Sequence, residues 1–186
     1  MLSVWKLNSR LPYAWLLALG SLCLAACQLH AADWSLESAG VRYGFSANGS
    51  GSDFHASETF LNANLPWSWS LGTNWQVASR LDGSAGWLGA GDKNGAMFTL
   101  GPTLVLSRKN LPITLDGGVS PTVITRSQYD TKDLGIPFQF TTHIGINWDF
   151  AKHFRAGYRF QHMSNAHLSN HNPGLNLHLF GVSYLF

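Results

Sequence analysis

The sequence predicts an all-β protein: an eight-stranded antiparallel transmembrane β-barrel with four external loops, occupying residues 33–186. Three observations carry that expectation. Apolar and polar residues alternate with period two in run after run, and no helical period is sustained beyond Trp34. Long and short connections take turns, as they do where tight periplasmic turns alternate with longer outer loops. The chain ends on an alternating apolar strand closed by Phe186, which resembles the terminal signature by which such barrels are recognised for insertion.

Composition bounds the rest. The 186 residues are enough for one domain, only 12% are charged, and aromatic residues and Gly are plentiful. A net charge of +2 without a basic cluster gives no support to nucleic-acid binding. Lys6 and Arg10 precede an apolar run from Leu11 to Cys27, which reads as an export signal over residues 1–32. Two cleavage patterns fit: Leu24-Ala25-Ala26-Cys27 resembles a lipoprotein signal with an acylated Cys27, and His30-Ala31-Ala32 suits ordinary cleavage before Asp33. Both cysteines, Cys23 and Cys27, fall in this leader, so the mature chain holds no disulfide.

Each strand follows from its alternation. Val41, Tyr43, Phe45 and Ala47 share one face of the first, and 48–53 reads as a loop. The second, from about Phe54 to Trp69, sets Leu61, Ala63, Leu65, Trp67 and Trp69 against Glu58, Asn62 and Asn64, with Pro66 marking an irregularity. The third sets Trp75, Val77 and Leu81 against Gln76, Arg80 and Asp82, and the Gly-rich segment Gly83 to Gly95 reads as a long loop. Phe98, Leu100, Leu104 and Leu106 mark the fourth strand, and Ile113 to Ile124 the fifth. Arg126 to Pro137 is polar and reads as a loop. Phe138 to Phe150 alternates cleanly, and a tight turn at 151–153 leads into the seventh strand.

On the apolar parity, Trp67, Trp69, Trp75, Trp148 and Tyr184 sit near strand ends, where an interfacial girdle belongs. The opposite parity carries Arg42, Glu58, Arg80, Asp82, Asp116, Asp149, Arg155 and Arg159, which in a barrel point inward and pair. Eight strands leave an interior just filled by side chains, so no open channel is expected. A soluble β-sandwich is the alternative, against which stand the leader, the terminal Phe and the loop asymmetry.

The terminal stretch from Tyr158 to Phe186 breaks the pattern. His162 and Ser164 continue the apolar parity of the seventh strand, while Asn176 and His178 continue that of the last. A base, a hydroxyl and an amide thus fall on the lipid-facing parity at the external rim. Polar groups there carry a cost unless they serve a substrate in the same phase or sit among headgroups. Residues two apart on a strand share a face about 7 Å apart along the chain, within side-chain reach of a serine–histidine pair. No set of histidines has spacing that compels a metal site, and His171 reads as a solvated loop residue.

The eight-strand layout closing on His162-Met163-Ser164-Asn165, then a Pro/Gly-containing loop and a last strand, resembles the PagL family of lipid A 3-O-deacylases. The likeness covers the mature chain in layout, and its specific part is the terminal stretch. It implies Ser164 as nucleophile, His162 as general base, and Asn165 near an oxyanion site to which the N–H groups around Asn165 and Ala166 contribute. It also implies lipid A, or lipopolysaccharide, as substrate, outer-membrane lipids as surroundings, no cofactor, and a homodimer among the assemblies it allows. Two positions depart from the family's pattern. Asn176 stands where the family has a glutamate that orients the histidine, and His167 stands where a small residue is common. An Asn carbonyl can still fix the imidazole tautomer, although it supplies no charge. A non-catalytic barrel for envelope stability or adhesion, and an esterase acting on a phospholipid, are the competing expectations.

Overall fold

The computed structural model describes residues 34–47, 53–129 and 132–186. The expected leader with its two cysteines, and most of the loop expected over 48–53, lie outside the described residues. Ten strands follow in chain order. They are β1 (Ser35–Ser46), β2 (Phe54–Leu71), β3 (Trp75–Ala90), β4 (Lys93–Arg108), β5 (Ile113–Ile124), β6 (Gln128–Tyr129), β7 (Lys132–Asp133), β8 (Phe138–Ala151), β9 (Phe154–Ser164) and β10 (Leu175–Leu185). Eight of them close into one barrel in the order β1-β10-β9-β8-β5-β4-β3-β2, each neighbouring pair antiparallel. The short β6 and β7 pair with each other instead.

Closure joins the first strand to the last, from Ser38↔Leu185 to Ser46↔Leu177, and so removes the sheet edges that hydrocarbon cannot satisfy. Outward residues are apolar and exposed around the wall, Ile144 at 63% among them. Trp67, Trp69, Trp75, Trp148 and Tyr184 all lie outward near the periplasmic ends of their strands, as the alternation predicts. Near Pro66 the pairing of β2 with β3 shifts between Asn64 and Ser68, the expected irregularity.

One expected loop is absent. The sequence reading takes Gly83 to Gly95 as a loop, but β3 and β4 pair continuously from Gly83↔Leu100 to Ala90↔Lys93, leaving a two-residue turn with Gly91 at φ 61°. Strand glycines also mark close backbone approach. Gly86 is such a case, since a Cβ there would lie 2.1 Å from Ser57 O.

The interior has two layers. Towards the periplasm, Asp82 meets three guanidiniums: Arg42 at 3.4 Å, Arg80 at 3.7 Å and Arg159 at 2.6 Å. Arg80 also reaches Asp116 at 3.1 Å and Glu37 at 3.4 Å, while Arg42 reaches Glu58 at 3.3 Å and lies over the Phe60 ring. The inward charges therefore pair with one another as the parity argument requires. A cavity of about 30 Å³ among them has room for one water.

Towards the outside the lumen turns apolar. Phe54, Leu88, Met97, Ile124, Met163, Leu175, Leu177 and Leu179 pack together there, joined by Tyr129 and Leu134 from the third external connection. This layer departs from the expected mixed-charge lumen. On β10 both parities are apolar, so alternation cannot announce that Leu175, Leu177 and Leu179 face inward. The connection expected as a polar loop over Arg126 to Pro137 carries the β6–β7 hairpin and caps the mouth. Tyr129 packs edge-on against Phe54 at 4.9 Å and donates its hydroxyl to Leu88 O at 3.2 Å. Burial there pushes its phenol up to about 12. Gln139 Nε2 donates to Leu134 O at 3.1 Å, tying the cap to β8.

Removing one member of a buried ion network strands the others. Asp82→Ala, which leaves three guanidiniums without their shared carboxylate, is expected to cost about 3–5 kcal/mol in urea unfolding from lipid vesicles. A loss below about 1 kcal/mol would show that these charges contribute little to holding the lumen together.

Candidate active site

The site is built where β9 ends and β10 begins. The register sets Asn176 directly opposite His162, with Leu175 opposite Met163. On the other flank β8 places Thr142 beside His162 and Phe140 beside Ser164. Side chains of successive strand residues alternate in facing, so buried Met163 fixes His162 and Ser164 outward. His162 is exposed, and Ser164 and Asn176 are half-buried.

His162 Nδ1 donates to Asn176 Oδ1 at 2.6 Å. An amide oxygen only accepts, so this bond puts the ring proton on Nδ1 and leaves a lone pair on Nε2. Gly174 sets the ring from the other direction. Its φ is +62°, and a Cβ at that position would lie 2.9 Å from His162 Cε1. The loop therefore passes against the imidazole with no side chain between. Ser164 Oγ shares the outward face, and no hydrogen bond joins it to His162 among the described residues. Catalytic hydrogen bonds are often loose before substrate binds.

Beyond Ser164 the chain turns sharply. Leu168 N–H donates to Asn165 O at 2.9 Å, and both intervening residues are left-handed, Ala166 at φ 51° and His167 at φ 61°. That is the geometry of a type I′ turn, usually given to Gly or Asn. Each such non-glycine residue costs roughly 1–2 kcal/mol, so something must hold the turn.

Asn165 does so. It is fully buried, its Nδ2 donates to His171 O at 2.7 Å and Leu134 O at 3.2 Å, and its own N–H donates to Asn172 Oδ1 at 3.0 Å. The two long external connections are thereby pinned together beside Ser164. Of the two residues expected to serve an oxyanion, Asn165 thus has its donors engaged in the loops. The Ala166 N–H carries no partner among the described residues.

His178, which shares the outward parity, does not join the pair. It bonds Tyr158 instead, Nδ1 to Oη at 2.8 Å. Sequence reasoning passed over Gly174, Asn172 and Tyr158. The Pro173-Gly174 step between a loop and a strand was the available signal for the first, and nothing local marked the other two.

Residues 55–185 match the family model described as lipid A 3-O-deacylase (PagL). The chain belongs to the PagL family. The lipid A deacylase PagL of Bordetella bronchiseptica is 28% identical over 141 residues, which is 71% of this chain and 78% of that protein. A crystal structure of the outer membrane enzyme PagL matches with a TM-score of 0.67 at 20% identity, covering 77% of this chain and 97% of that one. The likeness to that structure is one of fold, and the closed barrel described above is an outer-membrane barrel like it.

Gly174→Ala forces both a strained φ and a contact on the imidazole. The variant is expected to insert and fold, yet to lose roughly tenfold or more of whatever turnover depends on His162, since a displacement near 1 Å suffices for such losses. Undiminished turnover in a folded variant would remove Gly174 from the positioning of the ring.

Proposed function

We propose that this chain is a lipid A 3-O-deacylase, a serine esterase that removes the 3-linked 3-hydroxyacyl chain of lipopolysaccharide from within the outer leaflet. The observation that carries the proposal is the His162–Asn176 hydrogen bond on the lipid-facing side of the rim, beside an outward Ser164. Such groups are of use there to a substrate whose ester lies between headgroup and hydrocarbon.

Ser164 Oγ attacks the ester carbonyl carbon as His162 Nε2 accepts its proton. The carbonyl electrons move onto oxygen, opposite the unpartnered Ala166 N–H, with Asn165 holding the turn that presents it. Collapse breaks the bond to the sugar oxygen, which leaves with the proton from Nε2. A water then gives its proton to Nε2 and attacks the acyl-enzyme, and the fatty acid departs as Ser164 regains its hydrogen.

Asn176 serves this cycle by holding the tautomer. Being neutral, it offers less to the imidazolium that forms twice per turnover than a carboxylate would. A slower enzyme follows from that difference.

Expression in a Gram-negative host lacking such an activity is expected to lower the lipid A mass by one hydroxyacyl chain, with Ser164→Ala abolishing the change. Correctly inserted protein with unaltered lipid A would favour a non-catalytic barrel, and fatty acid released from phospholipid would move the substrate. Within the active protein, Asn176→Glu is expected to raise turnover roughly tenfold or more, and Asn176→Leu to lower it at least as much. Equal rates in all three would remove residue 176 from the chemistry.

A further inference from the structure

The outward face holds a second polar pair that the hydrolytic cycle does not use. His178 lies two residues beyond Asn176 on β10, about 7 Å further along the strand and deeper into the leaflet. Its Nδ1 bonds Tyr158 Oη at 2.8 Å, across from β9. Both side chains are half-buried, and aromatic rings wall them in: Phe45 at 5.7 Å and Phe160 at 5.6 Å from the imidazole, with Phe180 at 5.2 Å from the Tyr158 ring. Polar side chains on this parity are costly below the headgroups, and two facing apolar residues would hold the strands as well.

The hydrogen count of the pair defines its complement. If Tyr158 donates to Nδ1, then Nε2–H is left as a donor and the phenolic oxygen as an acceptor. If Nδ1 donates to Tyr158, then Nε2 is left as an acceptor and the phenol O–H as a donor. In either arrangement the neutral pair offers outward one donor and one acceptor. An ester or amide carbonyl, which only accepts, uses half of that. A hydroxyl, which both donates and accepts, uses all of it.

Below the pair, hydrocarbon has a place to go. Phe180 and Tyr43, paired in register, border a groove of about 770 Å³ on the outer wall that spreads across β1, β2 and β3, with Val182, Thr59 and Ala85 on its periplasmic side and Trp87 towards the external end of β3. A chain hydroxylated near its carbonyl end would leave its oxygen at the pair and lay its hydrocarbon against the Phe180 and Val182 side of this groove.

We propose that His178 and Tyr158 form a binding site for the hydroxyl of an acyl chain neighbouring the one cleaved. The proposal rests on the glycolipid reading of the rim. The cleaved chain itself is not the occupant, because its hydroxyl sits two carbons from the reacting carbonyl and stays near Ser164. A neighbouring chain on the same sugar starts from a different carbon, away from Ser164, and its hydroxyl is free to meet the pair.

The test uses two synthetic glucosamine glycolipids, alike except that one carries a hydroxyl on C3 of its amide-linked acyl chain. Their binding is measured on full-length Ser164→Ala protein in mixed micelles, so no turnover is needed. The hydroxylated lipid is expected to bind about tenfold more tightly, and the ratio to fall to about one when His178→Phe or Tyr158→Phe is added. Tyr158→Phe keeps the ring, and each ratio comes from one folded sample whose heat-dependent gel mobility reports the barrel. Equal binding of the two lipids by Ser164→Ala protein overturns the proposal. So does a ratio that survives both substitutions, or a loss equal for both lipids. A tenfold ratio in a protein whose native form releases no acyl chain would sink the deacylase reading and leave this site standing.

Discussion

Hydrocarbon offers backbone groups no partners, and that constraint organises the rest of this molecule. The sheet must close, and here β10 returns to β1 along an unbroken register. Once it has closed, each strand residue faces either lumen or lipid. The ion network, the apolar cap and the rim pair are three consequences of that division. Charges that lipid would reject collect around Asp82, and the outward wall is left to apolar side chains, with the polar residues at the rim as departures.

Those departures are the groups on which the proposed hydrolysis rests. His162 and Asn176 are fourteen residues apart in sequence and become partners through the antiparallel ladder alone. The turn after Ser164 is strained at two non-glycine residues, and the structure holds it from beneath through Asn165 rather than by choosing an easier sequence. Strain of this kind persists only where surroundings over-determine it. Here the surroundings are two loops tied to one buried amide, so the shape of the rim depends on the cap over the lumen.

Most of the fold was legible because period-two alternation is a direct image of the in-and-out division. It placed all eight barrel strands, the periplasmic aromatics and the outward histidine, serine and asparagine. It failed where side chains stop reporting the division. Gly83, Gly86 and Gly89 have none to report, so a strand segment read as a loop. Leu175, Leu177 and Leu179 are as apolar as the wall opposite them, so the apolar cluster of the upper lumen stayed hidden. The engaged donors of Asn165 depend on carbonyls at Leu134 and His171, and backbone groups carry no trace in the sequence. Gly174 against the imidazole is a contact between loop and strand that no local pattern encodes.

The cap formed by Tyr129 and Leu134 has a kinetic meaning. Among the described residues these two side chains pack over the apolar upper lumen while the proposed site faces lipid, so a lipid substrate arrives sideways, by diffusing within its own monolayer. Encounter is then two-dimensional. The concentration that sets occupancy is a mole fraction in the leaflet, and viscosity, chain order and cation bridging between neighbouring headgroups govern the rate of arrival as much as the barrel does.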